Sequence, residues 1–315
     1  MSYCAIPQGD VEFCGPPRRG FLSRMLAAGL GGLGSSLLRG STPAKKILPA
    51  IELGGKSVSR LIAGANPIGG WSYGTRKLTQ HMLNYFTVER TTKFILHCEQ
   101  EGITTWQSHY STQVRDALLA ARERGSKIQW IVLTTEREGA LKDVLTLHPI
   151  AVCHHGGATD SLFRAGQQER IHDFVKTIHD AGILAGVSTH NPDHLLRVED
   201  AGWENEFYMT CFYNLTRTPE EKKKLLAEEI LGDLFFASDP QRMVPRIRQV
   251  KKPCLAYKIL GAGRLCANSS AVERAFAFAY ANIKPFDAVI VGMYPVFADE
   301  VQEDADFARK YRTAS

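Results

Sequence analysis

The stretch "AGILAGVSTHNPDHLLRV", residues 181–198, holds one complete joint of the fold. Gly182 closes a helical pattern, an apolar run starts at once with Leu184, and Asn191-Pro192 ends that run before an amphipathic stretch begins. The same rhythm recurs along the chain from Ser59 onward. β-branched runs at SRLIAGAN (59–66), TTWQSH (104–109), IQWIVLTTE (128–136), IAVCHH (150–155), LAGVSTHN (184–191), FYMTCFYN (207–214), CLAYKIL (254–260) and AVIVGM (288–293) alternate with helical patterns. That count predicts an α/β fold of the (β/α)8 TIM-barrel type. A doubly wound open sheet is the alternative, but AGANPIGG (63–70) lacks the G-x-G-x-x-G turn expected after its first strand.

Composition sets the outer limits. The chain has 315 residues, 44% hydrophobic and 23% charged, enough for one large core and too apolar for a disordered protein. Net charge is +5, and the first 44 residues hold four Arg against Asp10 and Glu12, leaving +3 on the rest. This balance does not point to a nucleic-acid partner. Lys222, Lys223 and Lys224 lie among Glu220, Glu221, Glu228 and Glu229, the pattern of a solvated helical face.

The N-terminus differs in kind. In PPRRGFLSRMLAAGLGGLGSSLLRGSTPAKK (16–46), Arg18 and Arg19 precede Phe21 and Leu22 and a Gly-rich, weakly apolar run. This looks like a twin-arginine export signal over residues 1–44, followed by a single barrel domain over 45–315. The run is too short and too interrupted for a stable membrane span. The expected partner is the twin-arginine export machinery and the expected location is the periplasm or another extracytoplasmic space. Of seven cysteines, Cys4 and Cys14 fall in the leader, and Cys153, Cys211 and Cys254 lie in strand runs where buried thiols are expected.

In a barrel of this type the active site forms at the C-terminal strand ends. Those ends carry Asn66, His109, Glu136, His154, His155, His190, Asn191, Tyr213, Asn214 and Lys258. Polar groups so concentrated at one rim mark a site, because each is costly to bury unpaired. WSYGTR (71–76) is expected to form part of the pocket wall, with Trp71 and Tyr73 able to stack on a ring.

Four segments, GVSTHNPDHLLRV (186–198), CFYNLTRTPEE (211–221), LAYKILGAGRL (255–265) and AVIVGMYPVFADEVQEDADF (288–307), resemble the aldo-keto reductase family in the family's order. The resemblance covers roughly Ser59 to Phe307. It implies carbonyl reduction with NAD or NADP by an Asp, Tyr, Lys and His. His154 falls on the histidine and Tyr110 on the tyrosine, but Gln107 stands at the Asp position and Glu136 at the Lys position. For the cofactor, Ser188 matches a residue that binds the nicotinamide carboxamide and Tyr213 the aromatic that stacks on its ring. Thr189 and Thr210 replace the usual Asn and Gln, and Lys258 is the rim cation left to serve the site. MYPVFADEV (293–301) has no Lys or Arg where members that prefer NADP hold the ribose phosphate.

Three functions follow as expectations, each with a small-molecule substrate. One is an exported oxidoreductase acting on a carbonyl or sugar-like molecule with altered catalytic residues. The second is a non-redox lyase, epimerase or hydrolase using Glu136 and histidines as acid and base. A divalent metal on His109, His154, His190 and Glu136 belongs to that second case, although no H-x-H or H-E-x-x-H pair supports it. The third is a ligand-binding barrel without chemistry.

Overall fold

The computed structural model describes residues 46–311 apart from 136, 137, 229 and 231. The expected leader over 1–44 and Glu136 therefore lie outside the described residues. A short hairpin comes first, β1 (Ala50–Leu53) against β2 (Lys56–Ser59), turned by Gly54 and Gly55. Eight strands then follow: β3 (Leu61–Gly64), β4 (Thr105–His109), β5 (Gln129–Thr134), β6 (Ala151–His154), β7 (Leu184–Thr189), β8 (Phe207–Cys211), β9 (Cys254–Tyr257) and β10 (Ala288–Gly292). They close into a parallel barrel in the order β10-β3-β4-β5-β6-β7-β8-β9. Each lies within one of the eight apolar runs read from the sequence. The hairpin was not anticipated.

Around the barrel run α1 (Arg76–Tyr85), α2 (Val88–Gln100), α3 (Thr112–Glu123), α4 (Glu138–Leu145), α5 (Gly156–Arg164) and α6 (Glu169–Asp180). The second half adds α7 (Pro192–Ala201), α8 (Pro219–Leu226), α9 (Asp239–Gln249), α10 (Ser269–Asn282) and α11 (Glu300–Lys310). Among the described residues no helix is long and apolar enough to cross a membrane. The joint quoted above forms as its residues dictate. Asn191 caps α7 by accepting from the Asp193 amide, Pro192 occupies the first turn where its missing N–H costs nothing, and Gly202 ends the helix at φ 67°.

Alternation along the strands separates two cores. Ile62, Ile131, Cys153, Phe207, Met209, Leu255 and Ile290 fill the barrel, and Ile51, Leu53 and Val58 of the hairpin plug its N-terminal end. Trp106, Val132, Val152, Val187 and Tyr208 point the other way, into the helix layer. Gly186 is required at the centre, since a Cβ there would lie 2.3 Å from the Phe207 ring that crosses the barrel axis. Cys153, Cys211 and Cys254 are buried thiols as expected, with burial pushing each thiol up, Cys211 to about 11.

Candidate active site

The same alternation decides which rim residues can meet. In β7 the inward positions end in Ser188 and then His190, and β9 contributes Tyr257. Ser188 Oγ donates to the Tyr257 hydroxyl at 3.2 Å, and His190 Nε2 lies 3.1 Å from the same hydroxyl. His190 Nδ1 faces Asp160 Oδ2 at 3.0 Å, so Asp160, His190 and Tyr257 form a continuous hydrogen-bonded line.

Asp160, on α5, is fully buried and unusually well held. Its two oxygens accept from the Thr189 hydroxyl, the His190 amide, His190 Nδ1 and His194 Nδ1. Burial alone would raise this carboxyl, but the donations from His190, His194 and Thr189 outweigh it and hold the group well below the usual carboxylate range. The Tyr257 phenol moves the other way. Burial, with Cys211 adding to it, pushes it well above the ordinary tyrosine range and keeps it a neutral donor.

α5 begins directly beneath this line. His155 caps it, and a Cβ at Gly156 would fall 2.8 Å from Ser188 Oγ and 3.1 Å from both His190 Cε1 and the Tyr257 hydroxyl. Glycine is what lets the helix approach so closely.

A second pair stands beside the first. Lys258 Nζ donates to the Tyr73 hydroxyl at 2.9 Å and lies 4.4 Å from the Tyr73 ring centroid and 5.1 Å from that of Tyr257. Both Tyr73 (φ 50°) and Lys258 (φ 60°) adopt left-handed backbone, which costs a side-chain-bearing residue of order 1 kcal/mol each. Arg264 fixes the arrangement from behind, donating to the Tyr73 carbonyl at 3.3 Å and packing over Phe235 at 3.7 Å. His155 feels His190 and Lys258, and burial first, then those charges, lower it. His109 is lowered by burial and by His155, and its ring lies against Trp71 at 4.3 Å.

The residues singled out from the sequence divide accordingly. Ser188 and Lys258 belong to the site. Gln107 is buried on the inner face of β4, one inward step below His109. His154 is elsewhere: it is fully buried, its Nδ1 meets the Thr159 hydroxyl at 2.7 Å and its ring packs edge-on against Phe174 of α6. The inward histidine at this strand end is His155, one residue on. Tyr110 packs against the helix-layer core and interacts with Arg115 on α3. Thr189 is spent on Asp160, and Thr210, its partner in register, is fully buried in the same outward orientation. Tyr213 is buried against Phe235. Asn191 and Asn214 serve the backbone, capping α7 and the 214–217 turn.

The sequence reading does not single out Asp160 or Tyr257, and it places Tyr73 in the pocket wall, where the structure sets it against Lys258. The signal available for Tyr257 was its place directly before Lys258 at a strand end. For Asp160 it was the Gly156-Gly157 pair that brings the start of α5 against the strands.

These positions test the nicotinamide expectation. Of the side chains matched to nicotinamide contacts, Thr189 and Thr210 face the helices, Ser188 is engaged with Tyr257 and Tyr213 is packed on Phe235. The residues present do not fit that group in the manner the resemblance implies. Of the residues expected to hold a metal, Glu136 lies outside the described residues and His154 faces Thr159 and Phe174. Among the described residues no three His, Cys, Asp or Glu side chains are arranged to hold a metal ion.

Comparison with known proteins confirms the fold and stops there. No family model matches the chain. No curated protein matches it either. Among solved structures, the apo form of Gox0644 aligns with 86% of this chain and 94% of its own at 11% identity and a TM-score of 0.51. The glycerol dehydrogenase AKR11B4 from Gluconobacter oxydans aligns over 85% and 97% at 13% identity, TM-score 0.48. A truncated 3-deoxy-D-arabino-heptulosonate 7-phosphate synthase from Thermotoga maritima aligns over 84% and 90% at 12% identity, TM-score 0.49. The chain is a (β/α)8 barrel, a fold that redox and non-redox enzymes share.

Proposed function

We propose that this chain is an enzyme that moves protons on a small hydroxy-carbonyl, sugar-like molecule at the barrel mouth, by enolisation, epimerisation or dehydration, without hydride transfer. The observation that carries this reading is the pairing of two phenols in opposite surroundings. Tyr257 is buried, neutral and linked through His190 to a buried carboxylate. Tyr73 receives a hydrogen bond from an ammonium. Two titratable groups held in contrasting environments are the arrangement acid–base chemistry needs.

In this mechanism Tyr257 donates its proton to the substrate oxygen as negative charge develops there. The Tyr257 oxygen, held by the Ser188 hydroxyl, recovers that proton from the enol oxygen as the product forms, while Asp160 accepts from His190 Nδ1 and fixes the ring beside the phenol. Tyr73 serves as the opposing base. Lys258, donating to its oxygen at 2.9 Å, is placed to stabilise the phenolate that this role requires. His109 and His155, held neutral by burial, are free to accept from substrate hydroxyls.

Incubation of the protein with aldoses, ketoses and simple 2-hydroxy ketones in D2O, followed by proton NMR, tests this. Loss of an α-proton signal that depends on Tyr73 and Tyr257 is expected, with no oxidation of NADH or NADPH added alongside. Stoichiometric reduction of a carbonyl by either nucleotide, with no exchange, would overturn it. We further propose that the protein works outside the cytoplasm, exported folded through its paired arginines.

A further inference from the structure

Well away from Lys258 and Tyr257 in the chain, α2 and the loop after β10 enclose an open groove of about 500 Å³ lined by Tyr85, Phe86, Phe94, Pro295, Val296 and Phe297. We propose that this face is the site where a second copy of the chain docks, with Phe297 of each copy seated in the groove of the other.

Phe297 is 88% exposed, yet the loop carrying it is held firmly. Tyr85 donates from its hydroxyl to the Pro295 carbonyl at 3.1 Å, and Tyr294 packs against Tyr85 at 5.4 Å and Phe86 at 5.8 Å. The Tyr294 amide is tied to Glu300, and its hydroxyl to His81 on α1. An aromatic side chain fixed in water on a well-packed loop loses free energy that an unstructured tip would recover by folding back. The same two helices also expose Leu83 and Val88.

Charge selects the occupant. The α2 wall is basic, with Arg90 and Lys93 at its edge, and the Lys93 side chain is 70% exposed. Its acidic neighbour Glu89 pairs with it at 3.5 Å and with Arg124 at 2.6 Å, so one carboxylate faces three cations and this side stays net basic. The opposite wall is acidic at Asp299, half exposed at the start of α11. His97 joins the walls at one end through Asp299 at 2.9 Å. A partner of uniform charge meets repulsion from one wall or the other. A copy rotated by a two-fold axis sets basic wall against acidic wall twice, and places a Phe297 knob beside each groove, which is the self-complementarity an isologous interface requires.

Sedimentation velocity on the purified full chain across the micromolar range tests the proposal. A reversible dimer is expected. Phe297→Asp should raise its dissociation constant at least about thirtyfold, as loss of a central aromatic anchor does, with an unchanged circular dichroism spectrum because the side chain is exposed. Lys93→Glu should weaken the dimer by a smaller factor, and added salt should weaken the wild type. A wild-type chain that stays monomeric, or a dimer whose constant is unaltered by Phe297→Asp, overturns it. The outcome is independent of proton-transfer activity.

Discussion

Lys258 and Tyr73 stand 185 residues apart in sequence and 2.9 Å apart in space, and each reaches the other from left-handed backbone. Strain of this kind persists only where the surroundings over-determine it, and it concentrates at functional sites. The turn that Lys258 opens runs on through Gly261, Ala262 and Gly263, all at positive φ.

The pair therefore separates stability from function. Lys258→Gly removes the backbone strain and the ammonium together, whereas Lys258→Met removes only the ammonium. In urea unfolding, the glycine variant should be more stable than the methionine variant by about 1 kcal/mol. Both should lose proton-exchange activity by about a hundredfold. A methionine variant with wild-type exchange would remove Lys258 from the mechanism.

Gly156 gives a second separation. Alanine in the first turn of α5 favours the helix by roughly 0.5–1 kcal/mol, but its Cβ must displace Ser188 Oγ or the Tyr257 hydroxyl. Thermal unfolding of Gly156→Ala should thus shift little, while exchange activity falls at least about tenfold as the line from Asp160 to Tyr257 is bent. A large loss of stability instead would mean that the contact is a packing constraint with no catalytic meaning.

Export is checked by conservative substitution. Replacing Arg18 and Arg19 by Lys keeps the charge of the leader while removing the paired arginines. The protein should then stay in the cytoplasm, as cell fractionation would reveal, and folding of the barrel should be unaffected. Undiminished periplasmic yield would rule out the twin-arginine route.

The barrel was legible because its strands are continuous apolar runs, buried on both faces, with Gly or Pro at many joints. The hairpin was not, since AIEL (50–53) and KSVS (56–59) are four-residue strands with no strong period, and their role depends on Leu53 and Val58 finding Phe207 and Leu255 far along the chain. The site was legible in location and blurred in identity. His154 and His155 are chemically the same, and a parity of one residue along β6 sends the first to Phe174 and the second to the mouth. Asp160 reads in sequence like any helical acid. Only the tertiary approach of α5 to β7, set by Gly156, turns it into the hub for His190 and His194.

That hub predicts how the fold responds to acid. The folded carboxyl of Asp160 sits well below its unfolded value of about 3.9, because the bonds from His190, His194 and Thr189 outweigh the burial that opposes them. A depressed folded pKa gives stability that is complete above the unfolded value and is lost as pH falls through the range between the two. Asp160→Asn removes the charge and sets an amide N–H against one of the two histidines, leaving buried donors without an acceptor. At neutral pH this should cost about 3 kcal/mol in urea unfolding. The gap between variant and wild type should stay level from about pH 7 to 5 and narrow below about pH 4, where the unfolded chain takes up a proton that the native carboxylate refuses. His194→Gln, which retains a side-chain donor for Asp160, should restore most of the stability lost in His194→Ala. A gap that is constant down to the acid transition would show that the carboxylate charge is not what holds His190 and His194 in place.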